Sequence, residues 1–84
     1  MLLIFRPIAD FKRPTWPSAE VPQQLHFEWV VSDVDEAVAR LVALGAVLAE
    51  KQNLGDPDLR VLLDPAGHPL CVIASRSVST AFAP

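Results

Sequence analysis

Apolar and polar residues alternate without interruption over residues 24–31. One set of alternate positions holds Leu25, Phe27, Trp29 and Val31, and the other holds Gln24, His26, Glu28 and Val30. A period of two predicts a half-buried β-strand. One face of this strand is apolar and suits the core, where we expect Trp29, and the other face carries titratable groups.

The pattern then changes to a helical period. Asp33 has the position of a helix N-cap, and Glu36 follows at the spacing of a capping box. An apolar stripe on one helical face consists of Val34, Ala37, Val38, Leu41 and Leu44. Gly45 stands where a left-handed residue commonly ends a helix. The sequence therefore predicts a helix over residues 34–44.

Three further strands are predicted after the helix, over residues 46–54, 59–63 and 70–74. Turn residues separate them: Gly-Asp-Pro-Asp at 55–58 and Asp-Pro-Ala-Gly at 64–67. The order is strand, helix and three strands, which predicts an α+β fold with a single βαβββ module. A ferredoxin-like fold needs a second helix, and the chain has no room for one.

The N-terminal part follows a different pattern. Residues 2–5 form a short apolar run that we interpret as a strand, and residues 7–22 contain four prolines, which favour an extended, semi-rigid arm. We therefore divide the chain into an N-terminal strand and proline-rich arm (residues 1–22), a module (residues 23–75) and a tail (residues 76–84).

Composition limits the range of functions. The chain has 84 residues, a net charge of −3 and a single cysteine, Cys71, so an internal disulfide is excluded. A lone cysteine without a signal-peptide pattern favours a cytoplasmic location. The scattered basic residues argue against nucleic acid, and no apolar run is long enough to cross a membrane. Hydrophobic residues make up 51% of this small chain, which suggests apolar surface covered by another chain.

Four segments together resemble the glyoxalase/bleomycin resistance/extradiol dioxygenase (vicinal oxygen chelate) superfamily. They are Pro-Gln-Gln-Leu-His-Phe at 22–27, Val-Ser-Asp-Val-Asp-Glu-Ala at 31–37, Leu-Gly-Ala at 44–46, and Leu-Asp-Pro-Ala-Gly-His-Pro-Leu-Cys at 63–71. They match the second module of such proteins, in the same order and at similar spacings. The Pro-Thr-Trp-Pro segment at 14–17 resembles the link between two modules.

This resemblance implies a cup formed by two βαβββ modules around a metal or a small ligand. In metal-using members, a His or Gln on the first strand and a Glu on the last strand bind the metal. His26 matches the first of these positions, whereas Cys71 stands where the Glu is expected. We therefore expect no metal and no other cofactor. The alternative is a divalent metal such as Zn, Ni, Mn or Fe bound through His26.

Four side chains are candidates for ligand binding, each with a simpler structural interpretation. His26 and Glu28 share a strand face, where they could bind a ligand or transfer protons, or be no more than a solvated polar face. Cys71 could be a ligand or a small core residue. Trp16 could line a pocket or anchor the arm. His68, in the second turn, is expected to be exposed and outside the site.

Three functions remain open at this point. The first, which we favour, is a metal-free glyoxalase-like protein that binds a small organic ligand in a cup completed by a second chain. The second is a metal-dependent lyase or dioxygenase of the same superfamily that uses His26. The third is an accessory or truncated subunit without a ligand. We expect the protein to form a homodimer or to pair with another βαβββ module, because a single module has a helix on only one face of its sheet.

Overall fold

The computed structural model of the chain describes residues 2–52 and 56–77. The secondary-structure elements are β1 (Phe27–Val31), α1 (Val34–Ala43), β2 (Val47–Leu48), β3 (Leu59–Leu63) and β4 (Pro69–Ala74). Residues 75–77 turn helical directly after β4. The α+β fold with one βαβββ module, which the sequence predicts, is confirmed.

The four strands form one mixed sheet in the order β1-β4-β3-β2. β1 runs parallel to β4, and β4 pairs antiparallel with β3, which pairs antiparallel with β2. Leu70 of β4 is aligned with Phe27 of β1 on one side and with Leu62 of β3 on the other, so these three residues share one face of the sheet. Glu28 and Cys71, also aligned with each other, lie on the opposite face.

Helix α1 begins at the predicted residue and ends at Ala43, one residue before the predicted end. The side chain of Asp33 accepts a hydrogen bond of 3.0 Å from the backbone N–H of Glu36, which caps the N-terminus. Leu44 is the C-cap, and Gly45 follows with a φ of +113°, in the left-handed region that glycine adopts without strain. Among the described residues, no helix combines the length and apolar character that crossing a bilayer requires.

The core lies between α1 and the sheet and is small. Leu62 and Val72 are fully buried, and Leu70 and Ala74 of β4 are buried on the same face. Trp29 shares this face, but 42% of its surface stays exposed, so it lies at the rim of the core and the expectation of a core tryptophan is only half met. The physical reason is its position on β1, an edge strand of the sheet.

Two predicted strands are shorter in the structure. β1 begins at Phe27, whose register partner is Leu70. The register places His26 beside Pro69, the first residue of β4, which has no backbone N–H, and residues 24–25 lie beyond the end of β4. β2 ends at Leu48. Beyond it, the Gln52 side chain donates to the Val61 carbonyl at 2.8 Å and accepts from the Val61 N–H at 2.9 Å, so it occupies the backbone groups that a longer strand would use. Residues 53–54 of the predicted strand lie outside the described residues.

The arm, residues 2–22, is extended and contains no strand among its described residues. The prediction of a strand over residues 2–5 is therefore wrong for the single chain, because no sheet edge pairs with this segment. A turn between Thr15 and Val21 is closed by a backbone hydrogen bond of 2.9 Å, and the Trp16–Pro17 peptide within it is cis. Local hydrogen bonds thus close this turn of the arm, and no sheet edge among the described residues holds it.

Candidate functional site

His26 and Glu28 form a polar pair at the start of β1. The Nε2 atom of His26 lies 3.8 Å from Oε1 of Glu28, and the two side chains are 47% and 62% exposed. The pair forms because alternate residues of an extended segment project to one side. The sequence-predicted placement of these groups on one face is therefore found in the structure, with the two side chains close enough to contact one ligand.

Cys71 joins this pair through the sheet register. It is aligned with Glu28 on the neighbouring strand, on the face opposite to α1. Burial raises the pKa of the Cys71 thiol, and the negative charge of Glu28 raises that pKa further. In the metal-free chain the residue is therefore a neutral thiol at neutral pH, which is a weak hydrogen-bond donor.

The rest of this face is apolar. Val30 follows Glu28 on β1, and its register partner is Ile73 of β4; Val61 of β3 is aligned with Cys71. We call the face that carries His26, Glu28, Val30 and Cys71 the polar-edged face. It combines a hydrocarbon floor with a few polar groups at one end, a composition typical of small-molecule pockets.

The chain alone does not supply a metal centre in its described part. Over residues 2–52 and 56–77, no group of three or more His, Cys, Asp or Glu side chains is arranged to hold a metal ion. His26 and Glu28 supply two donors at most, while protein zinc sites use three or four. The described side chains of one module therefore supply fewer donors than a protein zinc site uses.

Trp16 is half-buried in the arm turn and stays apart from this set. The arm and the β3–β4 turn (residues 64–68) enclose a groove of about 480 Å³, which we call the arm groove. Pro14 and Val21, on either side of Trp16 in the chain, line the arm groove, and Trp16 itself does not. Within the described residues, Trp16 therefore lies in the turn of the arm and outside the arm groove.

The structure corrects the expectation that His68 is exposed. Its side chain is only 20% exposed, and its Nδ1 atom lies 2.9 Å from Oδ2 of Asp64. The Phe11 ring lies against it with 5.7 Å between ring centroids. His68 and Phe11 both line the arm groove. The sequence signal for this contact was the Asp-Pro-Ala-Gly turn, which folds residue 68 back onto residue 64.

Asp64 holds the turn that presents His68. Its Oδ1 atom accepts the backbone N–H groups of Ala66 at 2.9 Å and of His68 at 2.8 Å. Burial alone would raise the pKa of the Asp64 carboxyl, but the hydrogen bonds from His68 and Ala66 lower it on balance. The carboxylate is therefore ionised at neutral pH and acts as a fixed acceptor at the centre of the turn.

Comparison with known proteins adds one finding. A family model described as a glyoxalase-like domain matches residues 1–73, which extends from the arm to the penultimate residue of β4. No curated protein and no solved structure matches the chain. Since the match includes the arm, the family domain is not confined to the βαβββ module.

Proposed function

Because the chain belongs to the glyoxalase-like domain family, we propose that it binds a small, partly apolar organic ligand on the polar-edged face. The observation that carries the proposal is the grouping of His26, Glu28 and Cys71 on the face opposite to α1. An imidazole and a carboxylate at one end of an apolar floor orient a ligand that has a polar group and a hydrocarbon body.

We also propose that the site is metal-free. Cys71 stands where the family resemblance places a second donor, a carboxylate. The remaining donors, His26 and Glu28, are too few for a stable site within one chain. A lone thiol suits a reducing compartment, so we place the protein in the cytoplasm.

A second βαβββ module, most simply a second copy of this chain, completes the pocket. Large apolar side chains remain exposed on the polar-edged face, among them Val30 of β1 and Val47 of β2. An isolated domain seldom leaves so much apolar surface open to water. A stable interface of this kind would bury more than about 2,000 Å² in total.

The test is an NMR titration of the labelled protein with a library of small organic acids, phenols and neutral analogues. Binders are expected to shift amide signals of residues 26–30 and 71–73. This response should be lost in His26→Ala and retained in Asp35→Ala, a matched control on the first turn of α1. Binders that map elsewhere, or that are insensitive to His26→Ala, would contradict the proposal.

The His26–Glu28 pair also favours a second candidate, a metal-dependent lyase or dioxygenase. The His26 imidazole and the Glu28 carboxylate, 3.8 Å apart, could supply two metal ligands, and a partner module could supply the others. Elemental analysis of the purified protein separates the two functions. About one Zn, Ni, Mn or Fe per two chains, lost in His26→Ala, would establish the metal-dependent candidate and exclude the metal-free site.

A further inference from the structure

We propose that Arg13 and Gly67 form a latch that holds the arm against the β3–β4 turn and thereby fixes Phe5 and Phe11 over the module. The latch is a contact between segments far apart in the sequence. The Nη1 atom of Arg13 donates a hydrogen bond of 2.6 Å to the carbonyl oxygen of Pro65, 52 residues further along the chain. The charged donor makes this bond stronger than one between neutral groups.

Gly67 provides the space in which the Arg13 side chain lies. A Cβ atom on residue 67 would be 2.7 Å from Cγ of Arg13 and 3.0 Å from its Nε. Cγ belongs to the root of the side chain, so the guanidinium cannot avoid this contact by rotating its far end alone. Gly67 has a φ of +90°, which the turn also requires. Residue 67 must therefore be glycine for two independent reasons, and one of them is the arm.

A second contact supports the latch beside Arg13. Phe11 lies on the ring of His68, with 5.7 Å between centroids, and Asp64 fixes that ring through the 2.9 Å contact to Nδ1. Arg13 and Phe11 are two residues apart on an extended segment, so they can reach the same turn together. The arm is thus attached to residues 64–68 by one polar and one aromatic contact.

The latch determines what the rest of the arm covers. The Phe5 ring meets the Phe27 ring edge-on, with 6.5 Å between centroids. Phe5 also lines an apolar cleft of about 380 Å³ on the helix side, together with Trp29 and Leu41. The arm is therefore a strap over this cleft, and release of Arg13 would open the cleft. This inference does not rest on the proposed function, because every contact of the latch lies within one chain.

The test is limited trypsin digestion of the full chain, with cleavage after Lys12 as the measure of arm release. Arg13 is followed by Pro14, so Lys12 offers the cleavable bond next to the latch. The signal is the ratio of cleavage after Lys12 to cleavage after Arg60, which lies in β3 and reports unfolding of the whole module. Arg13→Ala should raise this ratio about tenfold, the scale of a lost hydrogen bond from a charged donor.

Gly67→Ala should raise the ratio as Arg13→Ala does, and should have no additional effect in the Arg13→Ala background. The matched control is Gly45→Ala, which carries the same kind of backbone strain at a φ of +113° but meets only Pro65 Cγ at 3.6 Å. The nuclear Overhauser contact between the Phe11 and His68 rings should disappear in the first two variants and persist in the control. An unchanged ratio in Arg13→Ala would overturn the latch, as would equal ratios for Gly67→Ala and Gly45→Ala. If Gly67→Ala does not fold, the cleavage ratio of Arg13→Ala and its nuclear Overhauser contact between Phe11 and His68 test the latch.

Discussion

Val30 offers the sharpest test of the second module, because it lies on the polar-edged face and keeps 54% of its surface exposed in the single chain. Val30→Asp places a carboxylate there, next to Glu28. In a monomer an exposed substitution of this kind changes stability by no more than about 0.5 kcal/mol. If a second copy covers the face, the same carboxylate must lose its water when the two chains associate.

The expected magnitude follows from the exposed fraction of Val30. Full burial of a valine side chain contributes about 1.5–3 kcal/mol, so covering the remaining half contributes ~1 kcal/mol per chain. A two-fold interface contains the substitution twice, so the lost burial of apolar surface weakens association by ~2 kcal/mol. Two unpaired carboxylates withdrawn from water add several kcal/mol more. We therefore expect a loss of at least ~3 kcal/mol, or a dissociation constant raised by about a hundredfold or more.

Sedimentation equilibrium over a range of concentrations measures this dissociation constant. The matched control is Val42→Asp on α1, where the native side chain is 47% exposed but on the other side of the module. Val42→Asp should leave the dissociation constant unchanged. A wild-type protein that is monomeric at micromolar concentration, or equal constants for wild type and Val30→Asp, would refute the shared face.

The remaining predictions concern stability. Leu62→Ala removes a fully buried side chain and should lower the free energy of unfolding in urea by about 3–5 kcal/mol. Trp29→Ala at the rim should lower it by only ~2 kcal/mol. The reverse ranking would contradict the assignment of the core. Hydrogen bonds from Arg76 and Ser77 lower the pKa of Asp58 to about 2. Stability from this carboxylate is present above pH ~4 and is lost as the pH falls towards 2, because the unfolded chain binds the proton first. Asp58→Asn should flatten that part of the pH profile, and an unchanged profile would count against the Arg76 contact.

Much of the fold follows from local sequence. The bounds of α1 depend on Asp33 and Gly45, whose hydrogen bonding and backbone preference act within one or two turns of the helix. β3 has the predicted bounds because turn residues stand at either end of it. The pairing of His26 with Glu28 follows from the period of two, which puts alternate side chains on one face in any extended segment.

Other features depend on contacts between distant segments. Cys71 meets Glu28 only because β4 runs parallel to β1, and no local signal sets that register. The half-exposure of Trp29 results from the edge position of β1, which the order of strands decides. The role of His68 was missed for the same reason, because its burial depends on an arm more than fifty residues earlier in the chain.

The sequence by itself therefore determined the element types, the helix caps and the sharing of a strand face by His26 and Glu28. These depend on hydrogen bonds and backbone preferences within a few residues, which a linear pattern records directly. Only the tertiary structure decided the strand order, the position of Cys71 beside Glu28 and the attachment of the arm at residues 64–68. Those depend on which distant surfaces bury apolar area together and satisfy each other's polar groups, and a linear pattern does not specify that choice.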